Sequence, residues 1–124
     1  MKKILIVDDH AVVREGIKAA LEREEIFQIF QAATKSEAIA QISKVSPDGI
    51  VVDINLPDGS GLEIVTWVRS ISTTVAIVVL TLNEKEEFLL ASMKAGASSY
   101  INKSAPLKDL VTALDFALKS PTSF

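Results

Sequence analysis

Short apolar runs and amphipathic stretches alternate along the whole chain. Four runs are apolar at consecutive positions and mostly β-branched: Ile4–Val7, Ile50–Val52, Val75–Leu80 and Tyr100–Ile101. Such runs are typical of strands that are buried on both faces of a parallel sheet. A fifth run, Phe27–Gln31, mixes polar and apolar residues and is predicted to form an edge strand.

Apolar residues at helical spacing follow each of these runs. Five strand–helix units in succession predict right-handed crossovers, with helices on both faces of the sheet. The predicted fold class is therefore α/β: a flavodoxin-like three-layer sandwich, whose five-stranded parallel sheet has the order 2-1-3-4-5, with five helices. The helical stripes are Val13, Ile17 and Leu21; Ala38 and Ile42; Ile64, Val68 and Ile71; Leu89 and Met93; and Leu107, Leu110 and Leu114.

Residues that start or stop helices support these boundaries. Asn83 is predicted to cap the start of the fourth helix, Gly96 to end it, and Pro106 to open the fifth. One domain is predicted over residues 1–119, and residues 120–124 are expected to be a linker or tail. Two spacings match capping boxes: Thr34 with Glu37, and Ser60 with Glu63.

Composition limits the classes of function. The 124 residues, 48% hydrophobic and 23% charged, fit a single globular domain. The net charge of -3 disfavours direct binding to nucleic acid. Without cysteine the chain offers no disulfide or thiolate metal site, and its single histidine disfavours a zinc site. Its longest apolar run, Val75–Leu80, is far too short to span a membrane, and we expect a cytoplasmic location with no membrane partner.

Carboxylates follow two neighbouring strands of the predicted sheet. Asp8 and Asp9 end the first strand, and Asp53 ends the third. These strands flank the point where strand order reverses, and ligands of such sheets bind there. Three carboxylates brought together repel one another unless a cation intervenes. Because the donors are oxygens, the cation predicted for this site is Mg²⁺.

A hydroxyl and an ammonium group are predicted at the same edge. Thr81 ends the fourth strand and Lys103 follows the fifth. A metal, an ammonium group and a hydroxyl around one carboxylate are the groups that neutralise the charge of a phosphoryl group while the carboxylate attacks it. The residues therefore indicate phosphoryl transfer to an aspartate.

These residues together carry a family resemblance. Asp8-Asp9-His10, the run from Asp53 through Pro57 to Gly61, Thr81 and Lys103 resemble the receiver domain of two-component response regulators, over about residues 3 to 119. The residues after His10, Val13-Arg14-Glu15-Gly16, and Lys103-Ser104-Ala105-Pro106 resemble the NarL/FixJ (LuxR-type) subfamily. Receivers of that subfamily usually precede a helix-turn-helix DNA-binding domain.

The resemblance implies a role for each acid. Asp53 would accept a phosphoryl group from a phosphohistidine on a sensor histidine kinase or a phosphotransfer protein, and would also ligate Mg²⁺. Asp9 would bind Mg²⁺ directly and Asp8 mainly through water. The backbone carbonyl of Asn55 would be a further ligand. The chain would then be a phosphoacceptor signalling domain and not an enzyme with turnover.

The resemblance also implies a switch and an output. Thr81 and Lys103 would hold the phosphoryl oxygens, and Tyr100 would turn inward when Thr81 moves towards them. The face formed by the fourth helix, the fifth strand and the fifth helix would then change, to contact a partner or a second copy in a homodimer. Control of transcription is expected through an output domain beyond Phe124 or on a separate protein, since none is found in this chain.

Two other functions are weighed against this one. An unphosphorylated receiver-like interaction scaffold would keep the fold and the acidic pocket. An aspartate-nucleophile phosphatase needs a second acid two residues after the nucleophile. This chain has Asn55 at that position, which counts against this function.

Two residues near the site have predictions of their own. His10 is interpreted as a structural loop residue. The bulky Leu82 after Thr81 is expected to slow reaction with small phosphodonors.

Overall fold

A five-stranded parallel sheet forms the centre of the computed structural model, which describes residues 1–82 and 85–124. The strands neighbour one another in the order β2-β1-β3-β4-β5, as the sequence predicts, and all pairs are parallel. Asn83, the predicted cap, lies outside the described residues. The strands are β1 Lys2–Val7, β2 Phe27–Ala32, β3 Gly49–Asp53, β4 Ala76–Thr81 and β5 Ser99–Asn102.

One small element departs from the prediction. Asn55–Leu56 and Gly59–Ser60 form a two-residue antiparallel hairpin directly after β3, which adds two short strands to the predicted five. The turn between them contains Pro57 and Asp58, a combination that favours a tight reversal. The hairpin leads straight into the third helix.

Five helices cover the two faces of the sheet. Alternate residues of each central strand point to opposite faces, and so divide the core in two. One core cluster joins the sheet to α2 and α3, and the other joins it to α1 and α5, which confirms the three-layer prediction. The helices are α1 Ala11–Glu22, α2 Lys35–Val45, α3 Gly61–Ile71, α4 Glu86–Ala95 and α5 Leu107–Lys119.

The structure confirms the helix boundaries predicted at Ser60, Gly96 and Pro106. The capping box of α3 is complete: Ser60 Oγ accepts from Leu62 N, and Ser60 N donates to Glu63 Oε1 at 2.9 Å. Gly96 ends α4 with a positive φ of 102°, and Pro106 is the N-cap of α5, as predicted. A side chain at residue 96 would also meet the Cγ of Arg69 at 2.5 Å, so glycine is needed there for two reasons.

The apolar stripe predicted for α4 is wrong in one respect. Met93 and Leu90 are each 46% exposed, whereas Phe88 and Ala95 pack against the core. The buried residue of this helix is Ser92, whose hydroxyl donates to the backbone of its own helix. The helix is thus rotated from the orientation that a Leu89–Met93 stripe predicts.

Strand register brings the predicted site residues to one edge of the sheet. Val7 of β1 lies opposite Val52 of β3, so the residues that follow them, Asp8 and Asp53, come side by side. Asp53 in turn lies opposite Leu80, next to Thr81. No helix within the described ranges is long and apolar enough to cross a bilayer.

Candidate functional site

Two carboxylates and one ammonium group converge at the carboxyl edge of the sheet. The Nζ atom of Lys103 lies 2.8 Å from Asp8 Oδ2 and 3.1 Å from Asp53 Oδ2. All three side chains are nearly buried, with exposed fractions of 6%, 0% and 4% respectively. Because a buried charge without a partner is costly, Lys103 compensates both carboxylates at once.

Backbone contacts hold Lys103 and Thr81 in place. The amide of Lys103 donates to the carbonyl of Thr81 at 2.8 Å, which ties the loop after β5 to the end of β4. The side-chain oxygen of Asn102 accepts from the amide of Ser104 and steadies the same loop. Thr81 itself is 1% exposed. Thr81 and Lys103 therefore lie at the same edge of the sheet as Asp53.

The carboxyl of Asp53 lies in a tightly fitted turn. Its Oδ1 atom accepts a hydrogen bond from the amide of Asn55 at 3.2 Å, and Gly61 N donates to Ile54 O at 2.7 Å. A Cβ at residue 61 would lie 2.0 Å from the carbonyl oxygen of Asp53, a clash with backbone that cannot be relieved. Glycine at residue 61 is thus required to seat α3 against the end of β3.

Burial and charge pairing act in opposite directions on these groups. Burial raises the pKa of the Asp53 carboxyl above its ordinary value, although hydrogen bonds from Lys103 and Asn55 lower it in part. For Lys103, burial by itself lowers the pKa, but the close contacts with the carboxylates of Asp8 and Asp53 outweigh this effect, so that the pKa is raised. The lysine is therefore held as a cation beside the two acids.

His10 lies inside the site, a position that the sequence interpretation as a loop residue misses. Its Nδ1 atom is 3.1 Å from Asp8 Oδ1, 3.2 Å from Asp9 Oδ1 and 3.3 Å from Lys103 Nζ. Its amide also donates to Asp8 Oδ1 at 2.8 Å. The position of His10 directly after two acids is the only signal in the sequence for these contacts. The direction of its ring depends on the backbone at the start of α1, which the sequence pattern does not reveal.

The donors at this edge fit a divalent cation. Asp8, Asp9, His10 and Asp53 each offer one ligand atom, and these atoms lie within 4.8 Å of one another. Asp8 Oδ2 is buried and makes no hydrogen bond of good geometry within the described residues; its contact is the ion pair with Lys103. Carboxylate oxygens are the ligands that Mg²⁺ prefers, so the residues present suit that ion.

Tyr100 lies on the strand beside the one that Thr81 ends, and Leu82 follows Thr81 in the chain. Tyr100 pairs with Val79 across β4 and β5, and its half-buried ring packs against the core on the α3 side of the sheet. Leu82 follows Thr81 and is 70% exposed. Tyr100 is therefore on the strand next to Thr81, while the predicted effect of Leu82 on small phosphodonors stays a prediction.

Comparisons with known proteins identify the family of this chain. Residues 4–115 match the family model described as "Response regulator receiver domain". The oxygen regulatory protein NreC of Staphylococcus haemolyticus is 34% identical over 97% of this chain and 56% of its own length. The DNA-binding transcriptional activator DevR/DosR of Mycobacterium tuberculosis is 34% identical over 92% and 53%. The chain spans about half the length of the curated relatives it matches.

Solved structures show the same fold. A two-component response regulator of the LuxR family from Aurantimonas superposes with a TM-score of 0.91 at 31% identity, covering all of this chain and 89% of the other. The chemotaxis response regulator CheY4 of Vibrio cholerae superposes with a TM-score of 0.86 at 29% identity, covering 95% and 99%.

Proposed function

The chain belongs to the response regulator receiver family, a family of signalling domains, and on that premise we propose that it accepts a phosphoryl group on Asp53. Its relatives are transcriptional response regulators of two-component systems. The donor we propose is a phosphohistidine on a sensor histidine kinase or a phosphotransfer protein. The output we propose is control of transcription through a DNA-binding domain, as in the LuxR-type subfamily.

The contact of Lys103 with both Asp8 and Asp53 supports this proposal most strongly. An ammonium group held 3.1 Å from Asp53 Oδ2 can bind an oxygen of a phosphoryl group that arrives there. Thr81, at the end of the adjacent strand, would offer a hydroxyl to another oxygen. A cluster with a purely structural role would not need to bury three ionisable side chains at one edge of the sheet.

The proposed step is a single displacement at phosphorus. A carboxylate oxygen of Asp53 attacks the phosphorus atom and forms the O–P bond of an acyl phosphate. The bond from phosphorus to the imidazole nitrogen of the donor breaks, and the electron pair leaves with that nitrogen, which takes up a proton. Lys103 stays protonated throughout and balances the charge of the new group.

Mg²⁺ is the proposed cofactor, held by Asp8, Asp9, Asp53 and the backbone carbonyl of Asn55. When bound, it offsets the negative charge of the carboxylates and of the phosphoryl oxygens. Asp8 is fully buried and Asp9 is partly exposed, at 34% of its side chain. This difference agrees with a deep acid that shapes the site and an outer acid that an arriving ion can reach.

A change in packing is proposed to carry the signal away from Asp53. Thr81 would move towards the phosphoryl oxygens, and Tyr100 on the adjacent strand would turn inward. The face formed by α4, β5 and α5 would then change, for a partner or for a homodimer. A cytoplasmic location and the absence of a membrane partner also stay predictions.

Intact mass spectrometry tests the phosphoryl step. Incubation with Mg²⁺ and acetyl phosphate should add one phosphoryl group to the parent chain and none to Asp53→Asn. Omission of Mg²⁺ should prevent the reaction, and a purified cognate kinase should label the same residue. An unmodified parent chain in both assays would instead support the unphosphorylated scaffold.

Matched measurements keep the result clear. Asp53→Asn replaces one carboxylate oxygen by an amide NH₂ group of nearly the same shape. Thermal unfolding should show that the variant is folded. Asp115→Asn, a change in a half-buried acid of α5 outside the acidic site, should leave the added mass unchanged. Phosphorylation of the Asp53→Asn variant would show that another residue accepts the phosphoryl group, and would overturn the assignment of Asp53 as the acceptor.

A further inference from the structure

The ring of His10 occupies a place that the proposed phosphoryl transfer does not use. Its Nδ1 atom lies between two carboxylate oxygens, at 3.1 Å from Asp8 and 3.2 Å from Asp9. On its other side is the ammonium group of Lys103, at 3.3 Å. The ring remains 61% exposed, so no close packing forces it into this position.

These three contacts make opposite demands on one nitrogen atom. A lysine ammonium group only donates hydrogen bonds, so its contact requires a lone pair on Nδ1. The two carboxylates only accept, so their contacts require a proton on the same atom. One tautomer cannot meet both demands. Whichever is present, Nδ1 faces at least one group of the wrong kind.

A divalent cation between Nδ1 and the two carboxylate oxygens removes the conflict between Nδ1 and the acids, while the ammonium group of Lys103 keeps its contacts with Asp8 and Asp53 and no longer needs the lone pair of Nδ1. The lone pair of Nδ1 and the oxygens of Asp8 and Asp9 would then all point at positive charge. Atoms at adjacent corners of an octahedron with metal distances of about 2.0–2.1 Å lie about 2.9 Å apart. The observed separations of 3.1 and 3.2 Å are close to that edge length.

We propose that His10 Nδ1 is a direct ligand of the divalent cation at this site, an inference that rests on the metal site of the proposed function. A nitrogen ligand changes which ions the site prefers. Imidazole suits first-row transition metals, whereas a set of oxygens alone suits Mg²⁺. The chain is therefore expected to bind Ni²⁺ more tightly, relative to Mg²⁺, than an all-oxygen site does.

Electron spin echo measurements on the Mn²⁺-loaded chain test the ligand directly. The chain has one histidine, so an untagged sample carries one imidazole. We expect a directly bound ¹⁴N coupling that is replaced by a ¹⁵N coupling when histidine alone is labelled with ¹⁵N. This isotope comparison needs no substitution. The same ¹⁴N coupling should be lost in His10→Gln.

Relative affinities give a second readout that is independent of any reaction. Calorimetry of Ni²⁺ and Mg²⁺ binding should show that His10→Gln lowers the Ni²⁺/Mg²⁺ affinity ratio by at least about tenfold, since even outer partners of a metal alter affinity that much. Asp9→Asn is the matched control, because it removes an oxygen ligand. This control should weaken the binding of both ions and leave the Ni²⁺/Mg²⁺ affinity ratio nearly unchanged.

The outcomes separate this inference from the proposed function. Bound Mn²⁺ without imidazole coupling, or an unchanged Ni²⁺/Mg²⁺ ratio in His10→Gln, overturns the role of His10 and leaves phosphoryl transfer to Asp53 intact. Absence of Mn²⁺ binding overturns the metal site as well, and the acetyl phosphate assay with Mg²⁺ then decides whether the proposed function fails with it.

Discussion

Single residues of the site are predictable where the chain direction alone places them. Asp8, Asp53 and Thr81 end adjacent strands, and residues that end adjacent parallel strands meet at one edge. Lys103 is placed by the same logic, one residue after β5. His10 lies further along the loop after β1, as the N-cap of α1, and its contacts depend on how the start of α1 orients the ring. Sequence reasoning therefore found the acids, the hydroxyl and the lysine and missed the histidine.

Removal of the Lys103 charge should destabilise the fold through the acids that it faces. Lys103→Met leaves Asp8 and Asp53 buried side by side without a cation, and loss of one partner of a buried ion pair costs about 3–5 kcal/mol. We expect the free energy of unfolding, measured in urea with a chelator present, to fall by an amount of that order. Saturating Mg²⁺ should restore part of it.

A double substitution separates this charge effect from lost packing. Asp53→Asn combined with Lys103→Met removes one of the two uncompensated acids. The double variant should therefore have a higher free energy of unfolding than Lys103→Met alone. If the double variant is as unstable as the sum of the two single variants, the lysine stabilises the fold through its carbon chain and not through its charge.

At the scale of elements, strands were easier to predict than the contacts that fix helix ends. Apolar, mostly β-branched runs located β1, β3 and β4, because burial on both faces leaves few other sequences possible. The partly buried edge strands β2 and β5 were predicted from the mixed run Phe27–Gln31 and the pair Tyr100–Ile101. The start of α2 shows the limit. Thr34 accepts from Glu37 N as predicted, but Asp58 also caps this helix, from 22 to 23 residues away. Local spacing cannot reveal such a partner.

Asp58 should stabilise α2 in a manner that depends on pH. Its carboxylate accepts from Ser36 N at 2.9 Å and Lys35 N at 2.7 Å, and these bonds lower the pKa of Asp58 below its ordinary value of 3.8. A lowered folded-state pKa means that the stabilisation is complete above 3.8 and is lost as the pH falls through the lowered value. We expect Asp58→Ala to lower the melting temperature at neutral pH.

The difference in melting temperature between parent and Asp58→Ala should shrink as the pH is brought below 3.8. Asp58→Asn is the control: it keeps one acceptor oxygen but no charge, and should give a smaller loss with less dependence on pH. A difference that stays constant from neutral to acid pH would show that the ionised carboxylate is not what caps α2.

At the scale of the whole molecule, Arg69 joins segments that are distant in the sequence. Its guanidinium donates to Gly96 O and Val75 O, each at 2.6 Å, and to Pro121 O at 2.9 Å. Ser98 Oγ accepts from the same group and itself donates to Pro121 O. This cluster lies at the amino end of β5, the edge opposite the acidic site. No local spacing reveals this cluster, because its members are spread over more than 50 residues.

The two ends of β5 thus belong to two different polar clusters. Ser98 precedes the strand and contacts Arg69, while Lys103 follows it and contacts Asp8 and Asp53. The four-residue strand between them carries Tyr100. Any shift of β5 along its axis is therefore opposed at both ends, so a change at Tyr100 is expected to be a rotation of the side chain and not a slide of the strand.

Arg69 should fix the segment after α5 as well as stabilise the fold. Arg69→Met leaves several carbonyl oxygens without their donor, which costs about 1–3 kcal/mol for each buried group left unpaired. We expect a loss of stability of that order and faster hydrogen exchange at residues 120–124, measured by mass spectrometry.

Lys94→Met is the matched control for loss of an exposed positive charge. Arg69→Lys keeps the charge without the planar fork and should release the segment too. Equal exchange of residues 120–124 in Arg69→Met and Lys94→Met would mean that Pro121 is held by something other than this arginine.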